Sequence, residues 1–163
     1  MSSCSSGKNC ESRRVRAIVQ RVLEARVGVR TDAGWIAAGA IGAGLCVFVG
    51  VTHADGEAEA DKLAAKVWGL RVFDDEDGVM NRSAADVGAA LLVVSQFTLY
   101  GDTSRGRRPS WSAAARPAHA EPLVERLVES LRAAGATVAT GRFRTEMRVA
   151  LVNDGPVTLT LEV

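Results

Sequence analysis

The chain predicts a mixed α/β fold in a single domain, with mostly antiparallel or mixed, barrel-like sheets and two main helices. Strand-like runs outnumber helical ones, two amphipathic segments lie among them, and three strand candidates close the chain without a helix between. A doubly wound parallel sheet would need stricter alternation. At 163 residues the chain has room for one domain with a real core, and too little for two.

Residues 1–14 are rich in Ser, with Gly, Lys, Asn and Arg and no apolar period, and read as a disordered extension. The domain, residues 15–163, starts abruptly with the strand-like run Val15–Val22. Arg26–Arg30, a turn at Asp32–Gly34 and Trp35–Ala38 suggest a hairpin. Leu45–Val51 is continuously apolar, as a buried central strand would be. Ala58–Leu70 has Ala60, Leu63, Ala64, Val67 and Leu70 at helical spacing, with Glu57 and Glu59 at its start and Lys66 near its end complementing the macrodipole. Arg71–Phe73 suggests a short strand before a solvated turn over Asp74–Asn81.

Ala89–Leu99 is the strongest strand pattern, followed by a Gly-, Ser-, Pro- and Arg-containing loop over Gly101–Ala118. A second helix is expected over Ala120–Ala134, with Pro122 in its first turn and Gly135 as C-cap. Thr137–Phe143, Met147–Val152 and Val157–Val163 are the closing strands, the last two separated by an expected turn at Asn153-Asp-Gly-Pro156.

Composition narrows the function classes. The formal charge of +1 excludes an overall electrostatic attraction to nucleic acid, so any such contact needs a local basic patch. No apolar run reaches the 18 or so residues of a membrane span, and the expected location is cytoplasmic. Three cysteines without a Cys-x-x-Cys pair make a disulfide framework or a zinc site a poor reading. Cys46 is expected to be a small buried hydrophobe, with Cys4 and Cys10 exposed.

Several chemistries fail on context. Gly39-x-x-Gly42-x-Gly44 leads into a strand, so it lacks the helix N-terminus that holds a pyrophosphate. Gly101–Arg108 approaches a P-loop in spacing, but Arg107 and Arg108 stand where Lys and Ser/Thr are needed. The acidic run Asp74–Asp77 lacks the alternation of a calcium loop. His53 reads as a loop residue and His119 as a solvated one; neither belongs to a metal motif, and no metal or cofactor is expected.

Two stretches hold more. Alternation along Ala89–Leu99 places Gln96 and Thr98 on one face and Ser95, Phe97 and Leu99 on the other. An amide and a hydroxyl then stand side by side, either as a polar strand end or as substrate-orienting groups, since a Thr hydroxyl without a base is a weak nucleophile. Arg105, Arg107, Arg108 and Arg116, interleaved with Trp111, suit phosphate contact and base stacking, or else a soluble loop packed back on the domain. Arg142, Arg144 and Arg148 extend the positive side chains.

Ser95-Gln-Phe-Thr-Leu-Tyr100 and Asn153-Asp-Gly-Pro-Val-Thr158 together resemble the two signatures of the D-aminoacyl-tRNA deacylase (D-tyrosyl-tRNA deacylase) family. The likeness extends to Gln20-Arg-Val22, Gly50-Val-Thr-His53, Leu70-Arg-Val-Phe73, Gly106-Arg-Arg-Pro-Ser110 and Thr140-Gly-Arg-Phe143. It implies a homodimer with active sites at the subunit interface, acting on D-aminoacyl-tRNA and glycyl-tRNA. Gln96, Phe97 and Thr98 match the catalytic strand. Ser95, Phe97, Met147, Gly155 and Pro156 match substrate-binding residues, with Phe97 at the adenine end and Gly155-Pro156 as a cis turn that reaches into the partner's pocket. Arg21 matches a brace for that turn, and Arg105, Arg107 and Arg108 are expected to contact tRNA.

Relatives commonly begin with Met at Val15, so the resemblance implies that residues 1–14 are an appendage or an artefact of start-site choice. Arg144-Thr-Glu146 departs from the Gly-Ala-His or Gly-Ala-Asp that relatives often carry before the matched Met147. Two rivals are an editor of L-alanyl- or glycyl-tRNA with a trans Gly-Pro, and a noncatalytic RNA- or DNA-binding module using the Arg105–Arg116 loop. The intact Asn153–Thr158 motif favours the D-specific branch over the first.

Overall fold

The computed structural model describes residues 14–163. The expected extension, with Cys4 and Cys10, lies outside the described residues except for Arg14. That residue is joined to the domain: its guanidinium lies 3.1 Å from the Glu162 carboxylate, and its carbonyl accepts the Tyr100 hydroxyl.

One long strand organises the domain. The runs expected as separate strands from Val15 to Arg30 are continuous as β1 (Arg16–Thr31), which pairs along one edge with β3 (Gly44–Gly50) and β2 (Gly34–Ile41). Its other edge pairs with β8 (Met147–Glu162), also unbroken. All three pairings are antiparallel. The sheet continues from β3 through β6 (Ala90–Ser95) to β7 (Val138–Thr140) in parallel register. Each parallel step needs a crossover. Helix α1 (Glu57–Trp68) lies between β3 and β6 in the chain, and α3 (Pro117–Ala133) between β6 and β7. The sheet curls until β7 approaches β2, where Gly39 lies against the Thr140 backbone. The expected mixed, barrel-like sheet with two main helices is present; β7 and β8, neighbours in the chain, are separated in the sheet.

Two apolar clusters follow from this curl. Val15, with Ala17 and Val19 of β1, joins Leu45, Val47, Leu91 and Val93 beneath the buried stripes of α1 (Ala60, Leu63, Ala64, Val67) and α3 (Leu123, Leu127, Leu131). The register of β1 against β8 shifts between Gln20 and Glu24, and beyond it Val22, Ala25 and Val27 join Cys46, Leu92 and Val94 in a second cluster inside the curl. Cys46 is the expected buried hydrophobe, and burial pushes its thiol up to about 12.

Local chemistry explains where elements begin and stop. Helix α1 starts after Gly56, whose amide donates to the Glu59 carboxylate at 2.8 Å. Helix α3 begins at Pro117 instead of Ala120, because Pro with its fixed φ suits the first helical position. Pro122 therefore lies past the first turn, where its missing N–H does remove a bond. A four-residue helix, α2 (Ala84–Val87), escapes periodicity by its length; Ser83 and Asp86 cap each other and Gly88 at φ 63° ends it. The Asp74–Asn81 stretch is also more ordered than a solvated turn. It closes the hairpin of β4 (Phe73–Asp74) and β5 (Met80–Arg82), with the Asp75 carboxylate accepting from the Asp77 and Val79 amides and from Asn81.

The two main helices are tied by a fork. Arg126 donates from Nε and Nη2 to the two Asp61 carboxylate oxygens, both at 2.8 Å, and the Ser130 hydroxyl adds a bond at 2.6 Å. These bonds hold the Asp61 carboxyl down at about 2. A depressed folded-state pKa stabilises the fold above the unfolded carboxyl range and loses that contribution as pH falls through the folded value. Asp61→Asn is therefore expected to lower the urea midpoint at neutral pH, with the gap from wild type closing between about pH 4 and pH 2. A gap that is constant over that window contradicts the assignment.

Candidate functional site

The strand β6 stops at Ser95, earlier than its apolar pattern predicts. The Gln96 backbone amide donates to the Val49 carbonyl at 2.7 Å, and the chain then closes into a 3-10 turn, Phe97–Tyr100. Gly50 of β3 makes the room: a Cβ there would stand 2.9 Å from Leu99 Cβ and 3.2 Å from the Gln96 carbonyl oxygen. The expected alternation of Gln96 and Thr98 against Phe97 and Leu99 therefore fails beyond Ser95. The Gln96 and Thr98 side chains still meet, because the turn brings the Gln96 amide to donate to the Thr98 hydroxyl. An amide nitrogen is a donor and no base, so this contact orients the hydroxyl without activating it. Phe97 and Thr98, as the first residues of the turn, have backbone N–H groups with no acceptor inside it.

A cleft of about 570 Å³ opens beside this turn. Ser95, Gln96, Phe97 and Met147 line it, as do Trp111, Arg116 and Arg144; Thr98 is not among the lining residues. Phe97 is 55% exposed and meets Trp111 edge to face, with centroids 5.4 Å apart. Trp111 packs on Gly101, where a Cβ would fall 2.7 Å from the indole Cζ3. Met147 lies over Gly141 and belongs to the margin of the second cluster, so the cleft floor is apolar.

The loop that bears Trp111 is fastened to the end of β3. Ala115 donates to the Val51 carbonyl at 2.9 Å, the Thr52 hydroxyl to the Ala113 carbonyl at 2.6 Å, and His53 Nε2 lies 2.7 Å from the Ser112 carbonyl oxygen. His119, expected to be solvated, has Nε2 2.8 Å from the Asp55 carbonyl oxygen, so both histidines serve as anchors. Asp55 in turn accepts the Thr52 amide at 2.7 Å, while burial raises its carboxyl above the ordinary range.

Arg105, Arg107 and Arg108 do not line the aromatic cleft. They surround a separate depression with Asp102, closed at its base by reciprocal backbone bonds between Asp102 and Ser110. The Asp102 carboxyl is lowered first by the Ser104 amide and further by the Arg105 charge. Arg116 caps the start of α3, and Arg144 stands at the turn before β8 with φ 58°, a left-handed conformation that costs a residue with a Cβ about 1–2 kcal/mol. The sequence groups Arg116 with Trp111 as phosphate-contacting and stacking residues, and both line the cleft; for Arg144 the departure from Gly is the available signal.

The second motif lies elsewhere. No turn divides the closing strands: Asn153–Pro156 forms a bulge inside β8, which keeps its direction along β1 on both sides. The Gly155–Pro156 bond is cis and both residues are exposed. Asn153 spans the bulge, its side-chain amide donating to the carbonyls of Arg21 at 2.9 Å and Val157 at 3.1 Å. The Arg21 guanidinium, 12% exposed, lies 3.1 Å from the Asp154 carboxylate and donates to the Val72 carbonyl at 2.6 Å. Gly155 and Pro156 do not line the cleft of their own chain. Eight positions separate Gly155 from Met147 on β8, at most about 26 Å along the strand at about 3.3 Å per residue.

Comparison with known proteins covers nearly the whole domain. Residues 18–162 match the family model described as D-Tyr-tRNA(Tyr) deacylase. The chain is 59% identical over 148 residues to a D-aminoacyl-tRNA deacylase of Symbiobacterium thermophilum, covering 91% of this chain and 95% of that one. Identity to the protein of that name from Streptomyces coelicolor is 55% over 150 residues, covering 91% and 100%. The solved structure of a c-Myc DNA Unwinding Element Binding Protein superposes with a TM-score of 0.83 at 36% identity, covering 91% and 98%. A probable eukaryotic D-amino acid tRNA deacylase shares the fold, with a TM-score of 0.76 at 14% identity over 92% and 100% of the two chains.

The fit of the turn against Gly50 is directly testable. Gly50→Ala overpacks Leu99 and Gln96 and is expected to cost about 1–3 kcal/mol in urea unfolding, with disturbed near-ultraviolet dichroism from Trp111. Wild-type stability and spectrum in that variant would contradict the packing described.

Proposed function

The chain belongs to the D-Tyr-tRNA(Tyr) deacylase family, and from that membership we propose that it hydrolyses the ester joining a D-amino acid to the 3′ end of tRNA. Water adds to the ester carbonyl carbon, the bond to the ribose oxygen breaks, and free D-amino acid and tRNA leave. The observation that carries this reading for the site is the 3-10 turn at the cleft wall. It leaves the Phe97 and Thr98 amides free to receive the negative charge that develops on the carbonyl oxygen. Such donors are worth about 3–4 kcal/mol each when preorganised.

Roles follow from position. Phe97, braced edge-on by Trp111, offers its face to the terminal adenine, while Ser95 and Met147 bound the aminoacyl end. Gln96 hydrogen-bonds Thr98, which stands outside the cleft lining and serves the site through that contact, not as nucleophile; the vicinal 2′-hydroxyl of the terminal ribose supplies the activation instead. Arg105, Arg107 and Arg108 form a positive surface for the tRNA backbone.

Chirality requires a second element. In this reading two chains form a homodimer, and Gly155-Pro156 of one protomer enters the cleft of the other, where its carbonyls occupy the space an L side chain needs. Hydrogen fits there, so glycyl-tRNA also enters, and the side chain of a D-residue points outward. Support comes from the exposure of Gly155 and Pro156, from Arg21 and Asn153 fixing the bulge, and from the absence of both residues from the lining of their own chain's cleft. The site of action is the cytoplasm, with its charged tRNA. The DNA-element-binding name borne by the solved relative at 36% identity favours one alternative, a noncatalytic nucleic-acid-binding module.

Matched D- and L-tyrosyl-tRNA offered to purified protein separate these readings: release of D-tyrosine alone is expected, and salt-sensitive binding without release supports the module. Thr98→Ala is expected to keep kcat within about tenfold, since it removes orientation and no nucleophile; complete loss in a folded variant contradicts the role given to Thr98. Gly155→Ala places a Cβ 2.8 Å from Asn153 Oδ1 and is expected to weaken D-over-L discrimination more than D-turnover. Unchanged discrimination contradicts the filter.

A further inference from the structure

The Arg142–Glu146 turn holds a feature that the deacylase reading does not require. Arg144 occupies the left-handed region at φ 58°, where glycine would sit without strain, and the Thr145 hydroxyl closes the turn by donating to the Arg142 carbonyl at 2.8 Å. Arg144 lines the aromatic cleft together with Arg116. No carboxylate lines that cleft, and among the described residues neither arginine has a carboxylate within 4.0 Å; Glu146, next but one to Arg144, is paired with Arg30 at 3.5 Å. The cleft therefore holds two uncompensated guanidinium groups beside an aromatic pair and an apolar floor.

We propose that Arg144, with Arg116, grips the phosphodiester that joins the terminal nucleotide to the one before it. This rests on the cleft receiving the 3′ end of tRNA. With the base against Phe97, the 5′-phosphate of that nucleotide is the anion within the same ligand, and a guanidinium fork matches two phosphate oxygens. The neighbouring depression is mixed in sign: Glu121, Glu125 and Glu129 of α3 share its lining with Arg132 and Arg142, so it lacks the unopposed positive charge of the cleft. The strand of RNA thus leaves the cleft on the arginine side. A side chain kept in a strained conformation at the mouth of a site trades stability for contact.

The test compares D-tyrosyl-tRNA with D-tyrosyl-adenosine, an ester that lacks the phosphate, using wild type, Arg144→Gly and Arg144→Lys. Arg144→Gly is expected to lower the preference in kcat/KM for tRNA over the minimal ester about fivefold to tenfold, through KM, and to reduce the slope of log KM against log salt by about 0.7. Its Tm is expected to equal or exceed that of wild type, because the strain is gone, and Arg144→Lys to restore part of the preference. An equal loss on both esters, or an unchanged salt slope, overturns the phosphate contact while wild-type turnover still supports the deacylase. Wild-type protein that cleaves neither ester overturns both.

Discussion

The continuity of β8 constrains the whole site. Because the strand continues from Met147 to Glu162 along β1, its Met147 end and its Gly155–Pro156 bulge lie at different places on the molecule. Met147 closes the floor of the aromatic cleft, and the Gly155–Pro156 bulge lies eight positions further along the strand, outside the cleft lining. A reversing turn at Asn153–Pro156 would have freed the bulge to fold back. The ladder with β1 does not allow it. If both motifs serve one reaction, as proposed, the second must arrive from another chain.

Small residues set the cleft as firmly as large ones. Gly50 admits the 3-10 turn, Gly101 admits the Trp111 indole and Gly141 admits Met147; at each position a Cβ would meet atoms closer than 3 Å. Beneath them the second apolar cluster supplies a floor that water does not solvate, where hydrogen bonds to a developing charge are stronger than at the surface. Above them the loop is fastened by Thr52, His53 and Asp55 at the end of β3. In the proposed reaction, selectivity and activation come from fixed backbone and substrate groups, in keeping with a site where Thr98 faces an amide and no base.

Much of this was legible in the residues because burial imposes periodicity. The apolar run of β3, the stripes of α1 and α3 and the mixed character of the sheet all follow from patterns of 2.0 and 3.6. Pattern misled where a tertiary contact decided. β6 reads as a strand to Leu99, but Gly50 draws the chain into a turn after Ser95. Asn153–Pro156 has turn composition, yet it is a bulge between two stretches that pair with the same strand, fixed by Asn153 and Arg21. Ser95, Gln96, Phe97 and Met147 do gather at one cleft, while Trp111, Arg116 and Arg144 reach it through loop paths that no local periodicity encodes.

A mixed-dimer experiment addresses the lent bulge most directly. Coexpression of Phe97→Ala, which cripples the cleft, with Gly155→Ala, which disturbs the bulge, yields hybrids in which an intact cleft faces an intact bulge only across the interface. Recovery of strict D-selectivity in the isolated hybrid, beyond either variant alone, is the result expected of a bulge supplied in trans. Hybrids that behave as the sum of the two variants would contradict it.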